Sequence, residues 1–211
     1  MLKIWGRANS SNVQKVLWGA EELGLPFERI DIGGPFGGTK EPQYLALNPN
    51  SLVPTIEDDG LVLWESNSIL RYLAGQYGNA KAETVTLLPT IPAKRAEAER
   101  WMDWQLTTLT PSMTTLFGGL VRTPPEKRDL TAIEAARKSA ANAFDILDRH
   151  LAARDFVAGM HFTVGDIPIG IAAWRWFNLP IERPSQPHLR AWFERLLERP
   201  GYKKYVALPM T

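Results

Sequence analysis

Two polar clusters in this 211-residue chain place chemically useful groups at the starts of helices. Asn9-Ser10-Ser11-Asn12 comes directly before Val13, Val16, Leu17, Ala20 and Leu23, which recur at helical spacing and end at Gly24. The ordinary use of such residues is capping. Their chemical use is to donate a hydrogen bond to an anion at the positive end of a helix. For a thiol the effect is large: at a free pKa of about 8.5, only ~3% is thiolate at pH 7. Lowering that value by about two units takes ~2.7 kcal/mol of differential stabilisation and makes most of the thiol reactive. The chain has no cysteine, so a reacting thiol must belong to a substrate.

The second cluster is Glu65-Ser66-Asn67, a polar cap ahead of the amphipathic run Ser68–Leu73. Ser66 at a helix start offers a hydroxyl and backbone N–H groups to a carboxylate, and Glu65 beside it offers a carboxylate to an ammonium. Upstream, Val53-Pro54 heads an extended segment, and proline there removes one backbone donor. A cis bond at this point turns the Val53 N–H and C=O outward, toward an extended ligand. Each feature also has an ordinary reading, as an edge-strand start or a helix cap. Together they describe a site for a small charged peptide.

The elements that must hold these groups follow from pattern. Leu2–Trp5 reads as a strand ended by Gly6, and Phe27–Ile32 alternates as a second strand, so strand, helix and strand make a parallel βαβ unit. Gly33–Gly38 is a flexible loop without phosphate-binding spacing, and Pro42–Leu47 is a short helix. Asp58-Asp59-Gly60 joins the apolar runs Pro54–Ile56 and Leu61–Trp64 as a hairpin, and the following helix closes near Gly78. Residues 79 to 90 lack periodicity and read as a linker. Beyond them the chain turns helical. Pro92 suits a first turn, and Pro111 should kink or break the segment that runs on toward Phe117. Ile133, Ala136, Ala140, Phe144, Leu147 and Leu151 form a core stripe. Thr163 and Asp166 can form a capping box with Phe162 and Ile167 as hydrophobic staple. A last helix, Leu189–Leu197, closes the core before a break at Pro200-Gly201.

Composition narrows the function classes. A net charge of +1 with mixed signs gives no electrostatic reason for nucleic acid or an anionic membrane as partner. No apolar run reaches the ~20 residues of a spanning helix and no signal-peptide core is visible, so a cytoplasmic location is expected. Three scattered histidines and no cysteine make a metal site unexpected.

VPTIED, a hairpin and ESNSILRYL resemble the glutathione-site core of the cytosolic glutathione transferases, and the match to bacterial serine-type (theta-, beta- or zeta-like) members extends along the whole chain. The resemblance implies an α/β thioredoxin-like, glutathione-binding N-terminal domain over residues 1–79. An all-α C-terminal domain with an electrophile pocket follows over residues 90–211. It implies that Val53-Pro54 pairs with the cysteinyl backbone of glutathione and that Glu65-Ser66 holds its γ-glutamyl end. Aligning Lys15-Val16 with the same point of the serine-type enzymes places Ser10 on their catalytic serine. Ser11 and Asn12 are supporting donors, and either stays open as the sulfur's partner. Lys40 falls where the family places a basic group for the glycyl carboxylate. Arg7, Phe36, Trp101, Trp104, Gln105 and Thr108 fall on the segments that line the electrophile pocket, although tryptophans three apart also suit a core.

The implied activity is attack of the glutathione thiolate on a hydrophobic electrophile, in a homodimer with glutathione as co-substrate and no metal. Glutathione-dependent disulfide or peroxide reduction, and a non-catalytic binding module, are the alternatives. Ser51 stands where the family commonly has glycine, Ser68 where it has alanine, and Gly165 where the capping box usually carries alanine.

Overall fold

Leu2–Trp5 forms the first strand (β1), and its alternate residues Leu2 and Ile4 are buried. In the computed structural model, which describes residues 1–78 and 86–210, this strand lies inside a four-stranded sheet. Helix α1 (Ser11–Glu22) follows, then β2 (Phe27–Ile30), α2 (Pro42–Leu47), β3 (Thr55–Asp58), β4 (Leu61–Trp64) and α3 (Ser66–Tyr77). The strand order is β2-β1-β3-β4, with β1 and β2 parallel and the other two pairs antiparallel. Asp59 and Gly60 both take positive φ (46° and 86°), as a two-residue Asp-Gly hairpin turn requires.

Some details of this unit differ from expectation. Strand β2 ends at Ile30 rather than Ile32 because the next groups turn to other partners. Asp31 pairs with the Arg29 guanidinium, and the Ile32 carbonyl accepts from Arg7 N–H at 3.1 Å. Helix α3 begins at Ser66, not Ser68, which makes Glu65 its N-cap. The glycine loop contains a single 3-10 turn, Gly34–Phe36.

The chain divides into two compact units, residues 1–88 with 200–208, and residues 89–199 with 209–211. Part of the expected linker, residues 79–85, lies outside the described residues. The break expected at Pro200-Gly201 is instead the start of a short helix, α9 (Pro200–Tyr205), which packs on α1 within the first unit. A β-carbon at Gly201 would come within 2.7 Å of Trp18, so glycine is what allows that approach. Tyr202 then meets the Trp18 ring edge-on at 4.9 Å.

The second unit is helical: α4 (Pro92–Trp104), α5 (Thr110–Phe117), α6 (Leu130–Leu151), α7 (Asp166–Asn178) and α8 (Pro187–Leu197). Pro111 does not break the helix. The ladder widens instead to a π-helical segment, Gln105–Leu109, just before it. Proline supplies no N–H and its ring excludes the carbonyl one turn back; here Thr110 Oγ1 donates to the Gln105 carbonyl at 2.9 Å. The core stripe of α6 is buried as its spacing predicts, with Phe144 stacked on Trp176 at 5.0 Å.

At the start of α7, Asp166 accepts from Thr163 N–H at 2.9 Å while Thr163 Oγ1 accepts from Gly165 N–H at 3.3 Å, the reciprocal pattern of a capping box. Asp166 also accepts from Val157 N–H and Trp192 Nε1, both at 2.9 Å. Phe162 and Ile167, the expected staple, are both buried. The glycine at 165 has a local reason: a β-carbon there would stand 2.6 Å from the Ala98 carbonyl oxygen. No helix among the described residues is long and apolar enough to cross a membrane.

Candidate glutathione site

The first unit carries a cleft lined by Asn12 from α1, by Asn48, Asn50, Leu52, Val53 and Pro54 from the loop before β3, and by Trp64, Glu65 and Ser66 where β4 passes into α3. The loop is built from polar side chains. Asn48 Nδ2 donates to the Leu52 carbonyl at 2.9 Å and to Thr55 Oγ1 at 3.1 Å, while Asn48 Oδ1 accepts from Asn50 N–H at 3.0 Å. The Tyr44 hydroxyl, 2% exposed as a residue, donates to the same Leu52 carbonyl at 2.6 Å. Ser51 adopts a left-handed φ of 57°, the conformation for which the family's usual glycine is suited, and its hydroxyl donates to the Thr39 carbonyl at 2.9 Å. This framework fixes Leu52 and hands the chain to Val53-Pro54, whose peptide bond is cis.

At the other wall, Glu65 has φ 72° and ψ 105°, a conformation rare for a non-glycine residue, and its side chain does not cap α3. Residues held in such conformations cluster at ligand sites. Ser66, 6% exposed, donates to Asn12 Oδ1 at 3.3 Å, so the N-terminal turns of α1 and α3 meet at the cleft. Ser10 is the N-cap of α1, yet its side chain makes no capping hydrogen bond, and no described residue hydrogen-bonds its Oγ. The hydroxyl is uncommitted at the positive end of a twelve-residue helix.

Of the residues singled out from the sequence, Asn12, Val53, Pro54, Glu65 and Ser66 come together in the cleft. Ser10 and Ser11 sit beside it at the start of α1, and Lys40 is exposed on the chain leading to α2, outside the lining. Arg7 packs over Gly34, where a β-carbon would come within 2.8 Å of its Cδ, and Phe36 ends the same turn 57% exposed.

The remaining four belong to the helical unit. Trp101 is buried, edge-on to Trp104 at 5.2 Å and 4.6 Å from the His150 ring, with no partner for its Nε1 among the described residues. Gln105 is buried and donates to Thr110 Oγ1 at 2.7 Å, whereas Thr108 is exposed. Asn48, Asn50, Leu52 and Trp64 were not foreseen as site residues. The asparagines were visible only as turn formers, and nothing local distinguishes the other two. Among the described residues no three His, Asp or Glu side chains gather as a metal would need.

Comparison with known proteins agrees with this geometry. The family described as "Glutathione S-transferase, N-terminal domain" matches residues 9–76, and "Glutathione S-transferase, C-terminal domain" matches residues 109–200. Glutathione S-transferase GstB of Escherichia coli K12 is 46% identical over 100% of both chains. Glutathione S-transferase 3 of Zea mays is 32% identical over 98% of this chain and 93% of its own length. Among solved structures, the theta class glutathione S-transferase of Xanthomonas axonopodis pv. citri with glutathione bound superposes with a TM-score of 0.93 at 48% identity. That match covers 100% of this chain and 99% of the other. A cleft joining two helix N-termini to a cis-proline loop, in a chain alike end to end to these enzymes, identifies the protein as a member of the glutathione S-transferase family.

Proposed function

We propose that the protein activates the thiol of glutathione through the Ser10 hydroxyl and directs the thiolate at a small hydrophobic electrophile. The observation that carries this reading is the uncommitted Ser10 hydroxyl at the start of α1, the helix whose Asn12 reaches Ser66 across the cleft. In the mechanism, Val53 presents its N–H and C=O to the cysteinyl backbone of glutathione. Glu65 takes the γ-glutamyl ammonium, and Ser66 with the α3 N-terminus takes the γ-glutamyl carboxylate. The sulfur then lies at the start of α1, where the hydroxyl hydrogen bond and the helix dipole both favour the anion. Ser11 and Asn12 support it, and Lys40 meets the glycyl carboxylate. Attack forms the carbon–sulfur bond while the electrophile's leaving group, or its electron pair, departs. Holding the two reactants together supplies the rest of the rate.

On this reading residues 1–79 are the glutathione-binding domain and residues 90–211 the helical domain that supplies the electrophile pocket. Arg7, Phe36, Trp101, Trp104, Gln105 and Thr108 are the candidates for its walls. The working form is a cytoplasmic homodimer. Leu52, Leu61, Val62 and Trp64 stay exposed on edge strand β4 and the loop before β3, an apolar surface of the kind a second protomer covers.

The test is a pH titration of the ultraviolet thiolate band of bound glutathione, in the wild type and in Ser10→Ala. Ionisation about two units below the free thiol, abolished by the substitution, is the expected result. A shift that survives in Ser10→Ala moves the role to Ser11 or Asn12. Bound glutathione that ionises like the free thiol removes thiol activation altogether.

A further inference from the structure

Lys15 is a buried cation that the mechanism above does not use. It lies on α1 three residues after Asn12, hence on the same face, and only 3% of its surface is exposed. That face packs against α3. Burial holds the Lys15 ammonium down to about 8 from its ordinary 10.5, and the opposing influence is the Glu65 carboxylate. Among the described residues no carboxylate lies within ion-pair distance of it. A lone ammonium in such a place is costly to stability.

Glu65 is unusual from its own side. A carboxylate beside a helix N-terminus is drawn toward the first N–H groups by the helix dipole. The Glu65 side chain makes no capping bond there. The donors it leaves open are those that a γ-glutamyl carboxylate needs beside Ser66.

We propose that Lys15 is a positioning residue for the γ-glutamyl end of the site: its buried charge draws the Glu65 carboxylate away from the N-terminus of α3, leaving that helix end, beside Ser66, for a ligand carboxylate. The inference rests on the glutathione reading. Without the charge, Glu65 caps its own helix and competes with the ligand.

The experiment compares Lys15→Met, which keeps the stem and removes the charge, with Lys15→Arg, which keeps the charge. Binding at pH 7 is measured by calorimetry with S-methylglutathione, whose sulfur does not titrate, and with the same compound lacking the γ-glutamyl α-carboxylate. Lys15→Met is expected to weaken S-methylglutathione about tenfold, the scale of one charge-assisted hydrogen bond, and Lys15→Arg to stay within about threefold. The decarboxylated ligand binds both variants like the wild type, and the thermal midpoint of Lys15→Met is no lower than wild type. Should Lys15→Met not fold, Lys15→Gln is expected to show the same selective loss. Unchanged binding in the charge-free variant, or equal losses for both ligands, overturns the proposal. A wild type that fails to bind S-methylglutathione overturns the glutathione reading itself, which separates the two failures.

Discussion

Asn48 uses both ends of its amide to shape the loop it belongs to, and it is 2% exposed. Its nitrogen holds the Leu52 carbonyl and Thr55 Oγ1 while its oxygen holds Asn50, so one side chain spans the turn that presents Val53. In Asn48→Ala the Leu52 carbonyl and Thr55 keep only the Tyr44 hydroxyl, and the Asn50 N–H loses its acceptor. Loss of buried hydrogen bonds of this kind costs about 1–3 kcal/mol, and a Val53 displaced even slightly pairs less well with an extended ligand. The expected outcome is a KM for glutathione raised about tenfold with kcat for the bound complex little changed, since Asn48 is remote from the sulfur. Steady-state kinetics at varied glutathione checks it; a fall in kcat alone contradicts the assignment. This role was only half visible in the sequence. Val53, Pro54, Glu65 and Ser66 announce themselves as a proline at a strand head and a polar pair at a helix start. Asn48 looks like any turn asparagine, because its importance lies in which carbonyl the fold brings beside it.

Two helix caps show how much an element depends on where its ends are buried. Asp129 caps α6 by accepting from Ala132 N–H at 2.9 Å in an exposed setting. Asp166, fully buried at the start of α7, satisfies Thr163, Val157 and Trp192, and so ties a loop and a second helix to that start. Asp129→Ala is expected to lower stability by about 1 kcal/mol. Asp166→Ala leaves several donors buried without an acceptor and is expected to cost about 3–5 kcal/mol. Urea unfolding of the two variants measures the contrast, and equal losses would refute it. The longer helices were legible because their apolar period shows, and the four-residue strands because Gly6, Asp59-Gly60 and the prolines punctuate them. The elements that were not, α9 and the π-helical segment before Pro111, owe their form to other parts of the chain. The first rests on the close approach of Gly201 to Trp18, the second on a proline that cannot donate to the ladder and a threonine whose N–H and hydroxyl both bond to the Gln105 carbonyl.

At the scale of the whole molecule, a buried charge with a displaced titration stands in each unit among the described residues, Lys15 in the first and Asp166 in the second. Burial is the leading cause in both. It pushes the Asp166 carboxyl up to about 6 from 3.8 against the donors that hold it down, and it pulls Lys15 down to about 8 from 10.5. The two act with opposite sign on stability. For Asp166 the folded state binds the proton more tightly than the unfolded chain does. Its contribution is therefore complete below about pH 3.8 and is lost as pH rises through about 6. For Lys15 the unfolded chain binds the proton more tightly, so its contribution is complete above about pH 10.5 and is lost as pH falls through about 8. Between those windows both charges are carried at once, and there the wild type stands furthest below a variant that lacks the Lys15 charge but keeps its packing. The expected result is that Lys15→Met exceeds the wild type in unfolding free energy near neutral pH, and that the gap closes by about 3 kcal/mol as pH rises from about 8 to about 10.5. Chemical denaturation of the two proteins across that range measures it. A gap independent of pH would place the Lys15 ammonium in water, and with it would go the field that acts on Glu65.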